Sequence, residues 1–424
     1  SVLDAEDREV YAGSMVLPIK RSSVGYTVAT ADPCHQVFEL IRKKWGQQTQ
    51  IVVTSKFDIF WTLQSVYDED YSREIVTELY DKDPEMSALT TFTRSQQTLL
   101  VIFFVTLGLL FYLNFQSAAV VVNVVVTLAV TGVLLFKFLL SIVGLTIPPV
   151  RRNATAELDE SSLPLYTILV PMYRESSITI TNLAKNLQQL DYPLHKLDIK
   201  MVVEADDDET IEIIKSLQLP AFFEIVRVPP SEPRTKPKAC NYALKFSRGE
   251  FVVIYDAEDK PEPGQLKLAI KTFRESNDKL ACIQCALNYY NSRENWLTRM
   301  FTMEYTFWFD LMLPAMSRLR IPIPLGGTSN HFRTDFLNQM VAWDPYNVTE
   351  DADLGIRMNR LGYESKVIAS TTWEEATSRV ISWIKQRTRW LKGYMQTCLV
   401  HLRRPLILYR DFGAVDFIAY PLFI

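Results

Sequence analysis

The sequence predicts an α/β protein with a mixed, mostly parallel sheet, a small α/β domain before it, and membrane-spanning helices. Two observations carry this prediction. From Leu165 onward, short β-branched runs alternate with amphipathic segments, which is the rhythm of βαβ units. From Gln96 to Thr146 the only charged residue is Lys137, and so long an apolar stretch is typical of membrane helices. At 424 residues the chain is also too long for one ordinary domain.

Residues 1–92 are predicted to form a separate, soluble α/β unit. "VGYTVATADP" and "TQIVVTS" have the composition of strands that end in turns. "CHQVFELIRKKWG" has the periodicity of an amphipathic helix closed by glycine, and "FDIFWTLQSVYDEDYSREIVTEL" predicts a further helix.

Residues 93–147 are predicted to form a hairpin of two membrane helices. "LLVIFFVTLGLLFYLNF" (99–115) and "AAVVVNVVVTLAVTGVLLFKFLLSIVGLT" (118–146) are each long enough, or nearly so, to cross about 30 Å of hydrocarbon. Gln116 and Ser117 would form the turn, so both ends of the hairpin face the same side. Arg151 and Arg152 in the polar linker 148–164 predict that this side is cytoplasmic.

The remaining sequence divides into three parts. Residues 165–376 are predicted to form the main α/β domain. Residues 377–404 mix bulky apolar residues with Trp, Arg and Lys, which favours helices lying in the membrane interface over a solvated basic helix. The apolar residues 405–424 are expected to begin a further membrane segment that continues beyond Ile424.

Composition excludes several classes of function. The formal net charge is -4, which gives no global bias toward nucleic acid. Four histidines without ligand spacing argue against a zinc hydrolase, and five scattered cysteines suit a reducing compartment. Cys282 and Cys285 form one CxxC inside "LACIQCAL", which favours a buried strand over a zinc or redox site.

Two predicted strands end in clusters of acidic residues. "FVVIYDAEDKPEP" ends its apolar run at Asp256, Glu258 and Asp259, and "IKMVVEADDDET" ends at Asp206 and Asp207. One such cluster is adequately explained as a surface turn, but parallel strands bring their carboxyl ends to one crevice, where ligands bind. Acids this close repel one another unless a cation is shared. The sequence therefore predicts a site for Mg²⁺ or Mn²⁺ and a phosphorylated ligand.

These residues, in this order, resemble the membrane-embedded, cellulose-synthase-like members of glycosyltransferase family 2. The resemblance covers roughly residues 160–400 and rests on "VPMYRE", "EADD", "KACN", "DAED", "TED" and "QRTRW". It implies a GT-A-like, Rossmann-type mixed sheet on the cytoplasmic side. For the nucleotide-sugar donor it implies Tyr173 and Glu175 near the base, Asp206 near the uracil or ribose, Lys238 and Asn241 near the diphosphate, and Arg389 on the diphosphate.

The same resemblance implies the metal and the catalytic residues. Asp256 and Glu258 occupy the two positions of the family's D-x-D metal motif, with either Glu258 or Asp259 completing the Mg²⁺ or Mn²⁺ site. In "TED" (Thr349, Glu350, Asp351), Asp351 is the candidate base that accepts the proton of the acceptor hydroxyl; its alternative role is a helix cap. Gln386 and Trp390 of "QRTRW" and His331 of "GGTSNHFR" are implied on the acceptor side, although His331 is equally well explained as structural.

The resemblance implies an inverting glycosyltransferase (EC 2.4) that extends a polysaccharide, such as an exopolysaccharide, from a UDP-sugar. Export of the product is a linked expectation. The protein is expected to be a multi-pass protein of a bacterial inner membrane. Two alternatives remain open: transfer of one sugar to a lipid-linked acceptor, or a catalytically silent receptor or signalling scaffold.

The N-terminal unit resembles the N-terminal domain of type II secretion ATPases and pilus-assembly ATPases. "LPIKRSSVGYTVATADP" and "QIVVTSKFDIFWTLQSVY" carry this resemblance. It implies regulation or docking, with cyclic di-GMP or an envelope protein as the candidate partner. Polysaccharide synthases that join this transferase to a secretion-type domain, such as the synthase of a phage-receptor glycan, have the same arrangement.

Overall fold

The computed structural model describes residues 2–23, 25–147 and 158–423. Most of the predicted linker, including Arg151 and Arg152, lies outside the described residues. The N-terminal part contains a three-stranded sheet in which β2 pairs antiparallel with β1 and parallel with β3. Its elements are α1 (Arg8–Ser14), β1 (Val16–Arg21), β2 (Tyr26–Thr30), α2 (His35–Trp45), β3 (Gln50–Val53) and α3 (Lys56–Lys82).

The predicted strands and helices of this part are all present. α2 ends at Gly46, whose positive φ of 98° suits a residue without a side chain. α3 begins with a capping box, in which the Ser55 hydroxyl accepts from the Asp58 amide and the Asp58 carboxylate accepts in return.

Two long apolar helices follow, α4 (Arg94–Leu113) and α5 (Phe115–Leu145). Both are long and apolar enough to cross a membrane. The most apolar stretch of each helix is not buried against the rest of the chain. The break between them lies at Asn114 and not at Gln116–Ser117 as predicted. Asn114 ends α4 and also caps α5, because its side chain accepts from the Ser117 amide.

The main sheet has eight strands in the order β6-β5-β4-β7-β10-β9-β11-β8. β6, β5, β4 and β7 run parallel, whereas β10 pairs antiparallel with both β7 and β9. The predicted mixed sheet is therefore confirmed. Its strands are β4 (Tyr166–Met172), β5 (Leu197–Glu204), β6 (Phe223–Val228), β7 (Phe251–Ile254), β8 (Lys260–Pro261), β9 (Leu280–Tyr289), β10 (Asn330–Arg333) and β11 (Glu364–Glu374).

Helices cover the sheet and lead back toward α5. α10 continues through a π-helical stretch, Phe307–Met312, into α11, and this stretch packs against α5. The helices are α6 (Ser177–Gln188), α7 (Asp208–Ser216), α8 (Lys236–Leu244), α9 (Gln265–Arg274), α10 (Trp296–Thr306), α11 (Leu313–Leu319), α12 (Thr334–Gln339), α13 (Glu350–Arg360), α14 (Val380–His401) and α15 (Pro405–Phe423).

The sheet's central strands are buried: β7 is wholly apolar, and in β5 the buried charges of Asp198 and Lys200 are paired with each other. All residues of β5 and β7 are buried, and so are Cys282 and Cys285 of β9, as predicted for "LACIQCAL". Since β4 lies between β5 and β7, the carboxyl ends of these three parallel strands meet at one edge. This edge brings the two acidic clusters of the sequence to the same side of the fold.

The N-terminal part packs on the main domain through α3 and α8. Tyr71 of α3 stacks edge-on against Tyr242 and Phe246. Lys245 pairs with Glu74 and Glu78 of α3. α8 is thus held between the sheet and the N-terminal part, and its first residue, Lys236, lies in the candidate site described below.

The segment between α3 and α4 is fastened to the C-terminal helices. The Arg403 guanidinium, just after α14, donates to four backbone carbonyl oxygens of this segment, those of Pro84, Glu85, Ser87 and Thr90. The Ala88 amide donates to the Asp344 carboxylate. α14 and the segment before the apolar helices therefore form one packed unit.

Candidate active site

A cleft of about 1110 Å³ opens at the carboxyl edge of the sheet, where the acidic clusters meet. This volume is slightly larger than the usual range for ligand pockets, about 300–1,000 Å³, and can accommodate more than one small ligand. The predicted residues that line it are Asp256, Glu258, Thr349, Glu350, Asp351, Gln386, Arg389 and Trp390. Residues separated by more than 130 positions in the sequence therefore share one cavity.

Asp256 faces the cleft directly after β7 and is paired with a lysine that the sequence analysis missed. Its Oδ1 lies 2.5 Å from Nζ of Lys236, which also donates to the Gly327 carbonyl oxygen at 2.5 Å. Burial by itself would lower the pKa of Lys236, but the carboxylates of Asp256, Asp351 and Glu350 raise it. Lys236 is therefore a protonated cation held within a group of acids.

The structure separates the roles of Glu258 and Asp259, which the sequence left open. Glu258 lines the cleft. Asp259 is fully buried beneath it, where its Oδ2 accepts from the Asp256 amide at 2.8 Å and from the Thr328 hydroxyl. Asp259 therefore shapes the turn that presents Asp256, and Glu258 is the second carboxylate available to a ligand.

Further acids concentrate negative charge around Asp256. Burial, and then the charge of Asp256, raises the pKa of Glu258. Burial raises the pKa of Glu374, at the end of β11 and also in the cleft, with the charges of Asp259 and Asp256 adding to the effect. Burial and Asp256 likewise raise the pKa of Glu175. This excess of carboxylates favours binding of a cation.

Asp351 is buried in the first turn of α13, with 4% of its surface exposed. Burial raises its pKa to about 6; the nearby Lys236 opposes this rise and Asp256 adds to it. The Trp343 indole Nε1–H donates to Asp351 Oδ1 at 3.0 Å. Burial and the charge of Asp351 also raise the pKa of Glu350.

Trp343 is held by the asparagine of "KACN". The Asn241 side chain donates to the Trp343 carbonyl oxygen at 2.7 Å and accepts from the Trp343 amide at 3.2 Å. Asn241 is buried and does not line the cleft, so the structure does not bring it to the place predicted for the donor diphosphate. It acts at a distance, by fixing the tryptophan that orients Asp351.

Replacing Trp343 with phenylalanine is expected to shift the pH dependence of activity. The Trp343 hydrogen bond lowers the pKa of Asp351, so its loss raises that pKa. A hydrogen bond to a charged group contributes about 1.5 kcal/mol or more, which corresponds to about one pH unit. If Asp351 acts as a base, the acid limb of the kcat profile moves to higher pH by that amount.

The matched control for this prediction is Trp45→Phe, since Trp45 packs on Tyr11 in the N-terminal part. It removes an indole of the same size far from Asp351 and should leave the profile unchanged. An unshifted acid limb in the Trp343→Phe enzyme would show that the indole hydrogen bond does not tune the catalytic carboxylate.

Lys238, the other predicted diphosphate ligand, is also displaced from the cleft. It is fully buried, and its Nζ pairs with Glu204 at 3.0 Å and donates to the carbonyl oxygens of Pro229 and Ser231. Lys236 and Lys238 are two residues apart on α8, and residues at that spacing point in different directions. Of these two lysines, Lys236 lines the cleft, although the sequence had predicted Lys238.

Three further predicted donor residues, Tyr173, Glu175 and Asp206, are not among the residues that line the cleft. Asp206 is exposed and pairs with Arg234, a cleft residue, at 2.7 Å. Tyr173 is 52% exposed at the end of β4, with the Arg174 guanidinium 5.1 Å from its ring centre. Asp207 has a structural role, because it accepts from the Arg174 amide and caps α7.

α14 carries "QRTRW" across the cleft and touches "TED" directly. At Gly393 an added Cβ would lie 2.4 Å from Cγ2 of Thr349, so only glycine permits this approach. The intervening Arg387 pairs with Glu304 and lies 4.8 Å from the Trp390 ring centre. Part of the Trp390 ring that was predicted to bind an acceptor sugar is thus occupied by Arg387.

His331 is not an acceptor residue. It lies in β10 inside the sheet, fully buried, with its Nδ1 2.7 Å from the Tyr166 hydroxyl and its Nε2 3.3 Å from Gln265 Oε1. Burial lowers its pKa to about 3, so it stays neutral. The structural role left open by the sequence is the correct one.

The fold and the site define an α/β protein with an acidic cleft at the strand ends. The described residues match the model of glycosyltransferase-like family 2 over residues 164–393, more than half of the chain. The chain therefore belongs to this family. Residues 1–72 match the MshEN domain, which agrees with the resemblance of the N-terminal unit.

Curated relatives have related activities. A probable glycosyltransferase, YdaM of Bacillus subtilis, is 27% identical over 60% of this chain and 60% of its own. A beta-monoglucosyldiacylglycerol synthase of Nostoc is 25% identical over 57% of this chain and 51% of its own. A probable glucomannan 4-beta-mannosyltransferase of Oryza sativa is 27% identical over 58% of this chain and 44% of its own. The match thus spans about half the length of these relatives.

Among solved structures, the mannosyltransferase PcManGT of Pyrobaculum calidifontis has a similar fold. It is 19% identical, with a TM-score of 0.51, over 70% of this chain and 88% of that chain. That structure contains GDP-Man and Mn²⁺. At this identity the likeness concerns the fold alone, and it agrees with the GT-A-like sheet expected from the sequence.

Proposed function

We propose that this protein is an inverting glycosyltransferase that transfers a sugar from a nucleoside-diphosphate donor, with UDP-sugars as the default, to an acceptor hydroxyl. The observation that carries the proposal is the convergence of Asp256 and Asp351 on one cation, Lys236, in one cleft. Transfer of the sugar needs positive charge beside the departing diphosphate and a base beside the acceptor hydroxyl. The cleft contains a candidate for the positive charge, Lys236, and a candidate for the base, Asp351.

Asp256 and Glu258 fit a divalent cation. Both are carboxylates, the hard oxygen ligands that Mg²⁺ and Mn²⁺ prefer, and they stand in a surplus of negative charge. Among residues 2–23, 25–147 and 158–423 no group of three metal-ligating side chains is preassembled. This suits a cation held by one or two carboxylates together with substrate phosphates. When bound, the cation would neutralise charge on the departing diphosphate.

Asp351 is proposed as the base. Its carboxylate needs only a modest rise in pH above its pKa of about 6 to be ionised, which suits proton transfer near neutrality. The bond from the sugar's anomeric carbon to the diphosphate breaks as the acceptor oxygen bonds to that carbon, and the acceptor proton passes to Asp351. One displacement from the opposite face inverts the anomeric configuration.

The two apolar helices support a membrane location, with the catalytic cleft on the side where α4 begins and α5 ends. We place this side in the cytoplasm of a bacterial cell, since nucleotide sugars are made there. A growing polysaccharide, with export of the product, is the first candidate acceptor. A relative that is named for a diacylglycerol glycolipid supports the lipid acceptor as the second candidate.

The N-terminal part is proposed as a regulatory or docking domain over residues 1–92, with cyclic di-GMP or an envelope protein as the candidate partner. Its match to the MshEN domain and its packing on α8 support this. The other proposed boundaries follow the sequence: helical hairpin 93–147, linker 148–164, catalytic domain 165–376, interface helix 377–404 and a further membrane segment from 405.

The proposal is tested by turnover of the full chain in membranes against a panel of UDP- and GDP-sugars, with Mg²⁺, Mn²⁺ or EDTA. We expect release of the nucleoside diphosphate from one donor, dependent on the cation. Linkage analysis of the product should show the inverted anomer. Absence of release from every donor, in membranes where the chain is folded, would contradict the transferase activity proposed for this cleft.

A further inference from the structure

The catalytic cleft continues to the apolar helix α5. Lys137, the one charged residue in that long apolar sequence, lines the same cleft as Asp256. α5 packs closely on the opposite wall, since an added Cβ at Gly144 would lie 2.4 Å from the Leu311 carbonyl oxygen. The Ser141 hydroxyl, one turn from Lys137, contacts Met312 Sδ at 3.9 Å. The cleft therefore joins the acidic strand ends to the membrane helix.

Lys137 stands at the level where lipid head groups are expected. A helix needs about 20 residues to cross the hydrocarbon, and counting from Phe115 places the end of the crossing near Leu134. The antiparallel helix α4 gives the same level. It begins at the charged residue Arg94, which is 20 residues before Asn114, just as Leu134 is 20 residues after it. Lys137 is one turn beyond, on the side of the catalytic domain.

The polarity of the cleft changes along its length. The strand ends supply carboxylates, whereas the part near α5 and α14 is lined by the cations Lys137, Lys385, Arg389 and Lys392. Among the residues that the structure describes, none of these four cations forms a salt bridge, in contrast to Arg387, which pairs with Glu304. Aromatic rings, including Trp308 and Trp390, also line the cleft. One end thus suits a cation-bound diphosphate, and the other suits an anion at the membrane surface.

We propose that the acceptor is a lipid-linked saccharide, whose sugar is joined to its lipid through a phosphate or diphosphate. Lys137 and the two α14 lysines of the cleft, Lys385 and Lys392, bind that phosphate at the membrane surface, and the lipid chain lies along the apolar helices. The saccharide reaches into the cleft and presents its hydroxyl to Asp351. This inference rests on the proposed function and specifies its acceptor.

The reaction balances without a further reactant. The bond between the donor sugar and its diphosphate breaks, and its electron pair leaves with the nucleoside diphosphate. The saccharide hydroxyl forms the new bond to the anomeric carbon, and its proton moves to Asp351. The phosphate link between acceptor and lipid stays intact, so Lys137 binds it without taking part in bond formation.

A neutral polysaccharide gives no reason for a lysine at this position. A lysine in an apolar helix is costly and marks functional sites when it lines a polar cavity. A lysine that binds only the head groups of bulk phospholipid would extend toward the surrounding bilayer, and it would not need to line a cleft. Its place in the cavity of Asp256 favours a lipid that enters that cavity.

The test measures binding of farnesyl diphosphate to the full chain in nanodiscs of neutral phosphatidylcholine, followed by the fluorescence of cleft tryptophans. Farnesol, without phosphate, and phosphatidylglycerol, a bulk anionic lipid, are the comparison ligands. We expect farnesyl diphosphate to bind and the other two to bind at least tenfold more weakly. Lys137→Gln should weaken farnesyl diphosphate binding about tenfold.

The matched control is Arg94→Gln, which removes a charge at the same membrane level on α4 but outside the cleft. It should bind farnesyl diphosphate like the wild-type chain. Equal binding of phosphatidylglycerol, or unchanged binding by Lys137→Gln, overturns the acceptor proposal. UDP binding with Mn²⁺ is measured on the same samples: if it is intact, only the acceptor is wrong, and if it is absent, the transferase proposal itself fails.

Discussion

Asp351→Asn is expected to lower the rate of sugar transfer by between about 10²- and 10⁴-fold, the usual effect of removing a general base. Asparagine has the same shape and can still accept the Trp343 hydrogen bond, but it cannot take a proton at neutral pH. The dissociation constant for UDP should stay within about twofold of wild type. Transfer is measured with radiolabelled donor, and UDP binding by calorimetry.

The neighbouring Glu350→Gln enzyme distinguishes which carboxylate acts. Glu350 is also in the cleft, and its pKa is raised by burial and by Asp351, so it is the competing candidate. We expect Glu350→Gln to keep substantial activity. The opposite pattern, an active Asp351→Asn enzyme and an inactive Glu350→Gln enzyme, moves the role of base to Glu350.

Asp256→Asn is expected to remove cation-dependent donor binding and to lower kcat/KM by about 10³-fold, or several kcal/mol of transition-state stabilisation. The amide cannot supply the negative charge that a divalent cation needs. It also leaves Lys236 without the carboxylate that pairs with it. The direct readout is the Mn²⁺ electron paramagnetic resonance signal, which should show no cation bound with UDP.

Two variants serve as controls for the Asp256→Asn experiment, one for the loss of a negative charge and one for a change in side-chain length. Asp208→Asn removes an exposed acid in the first turn of α7 and should behave as wild type. Glu258→Asp restores the shorter acid of the family motif and should keep Mn²⁺ binding. Retained Mn²⁺ binding by the Asp256→Asn chain would move the cation to other residues of the cleft, such as Glu374.

The sequence was sufficient to predict those features of the fold and the site that depend on local sequence patterns. β4, β5 and β7 each contain an apolar run that is followed within a few residues by acids, and parallel pairing then brings those acids to one edge. The two apolar helices were equally clear from composition. The motifs "TED" and "QRTRW" predicted cleft residues that the structure brings together.

Long-range contacts could not be predicted from the same patterns. The choice between Lys236 and Lys238 depends on the orientation of α8, which is set by Glu204 on a different element. The Trp343 hydrogen bond to Asp351 depends on the course of a loop, for which no periodicity exists. His331 alternates with its strand neighbours, and only the register of β10 decides which face it takes. The break at Asn114 was obscured because polar residues continue to Ser117.

We propose above all that Asp256 and Asp351 serve one reaction in one cleft, Asp256 at the diphosphate of the donor and Asp351 at the acceptor hydroxyl that attacks that donor. The most direct measurement is a structure of the Asp351→Asn chain with Mn²⁺ and the donor that the turnover panel identifies, since this variant should bind the donor without consuming it. The account predicts an anomalous Mn²⁺ peak bonded to Asp256 and Glu258, with the sugar lying between that peak and residue 351. A nucleotide bound outside the cleft, or a sugar facing away from residue 351, would contradict it.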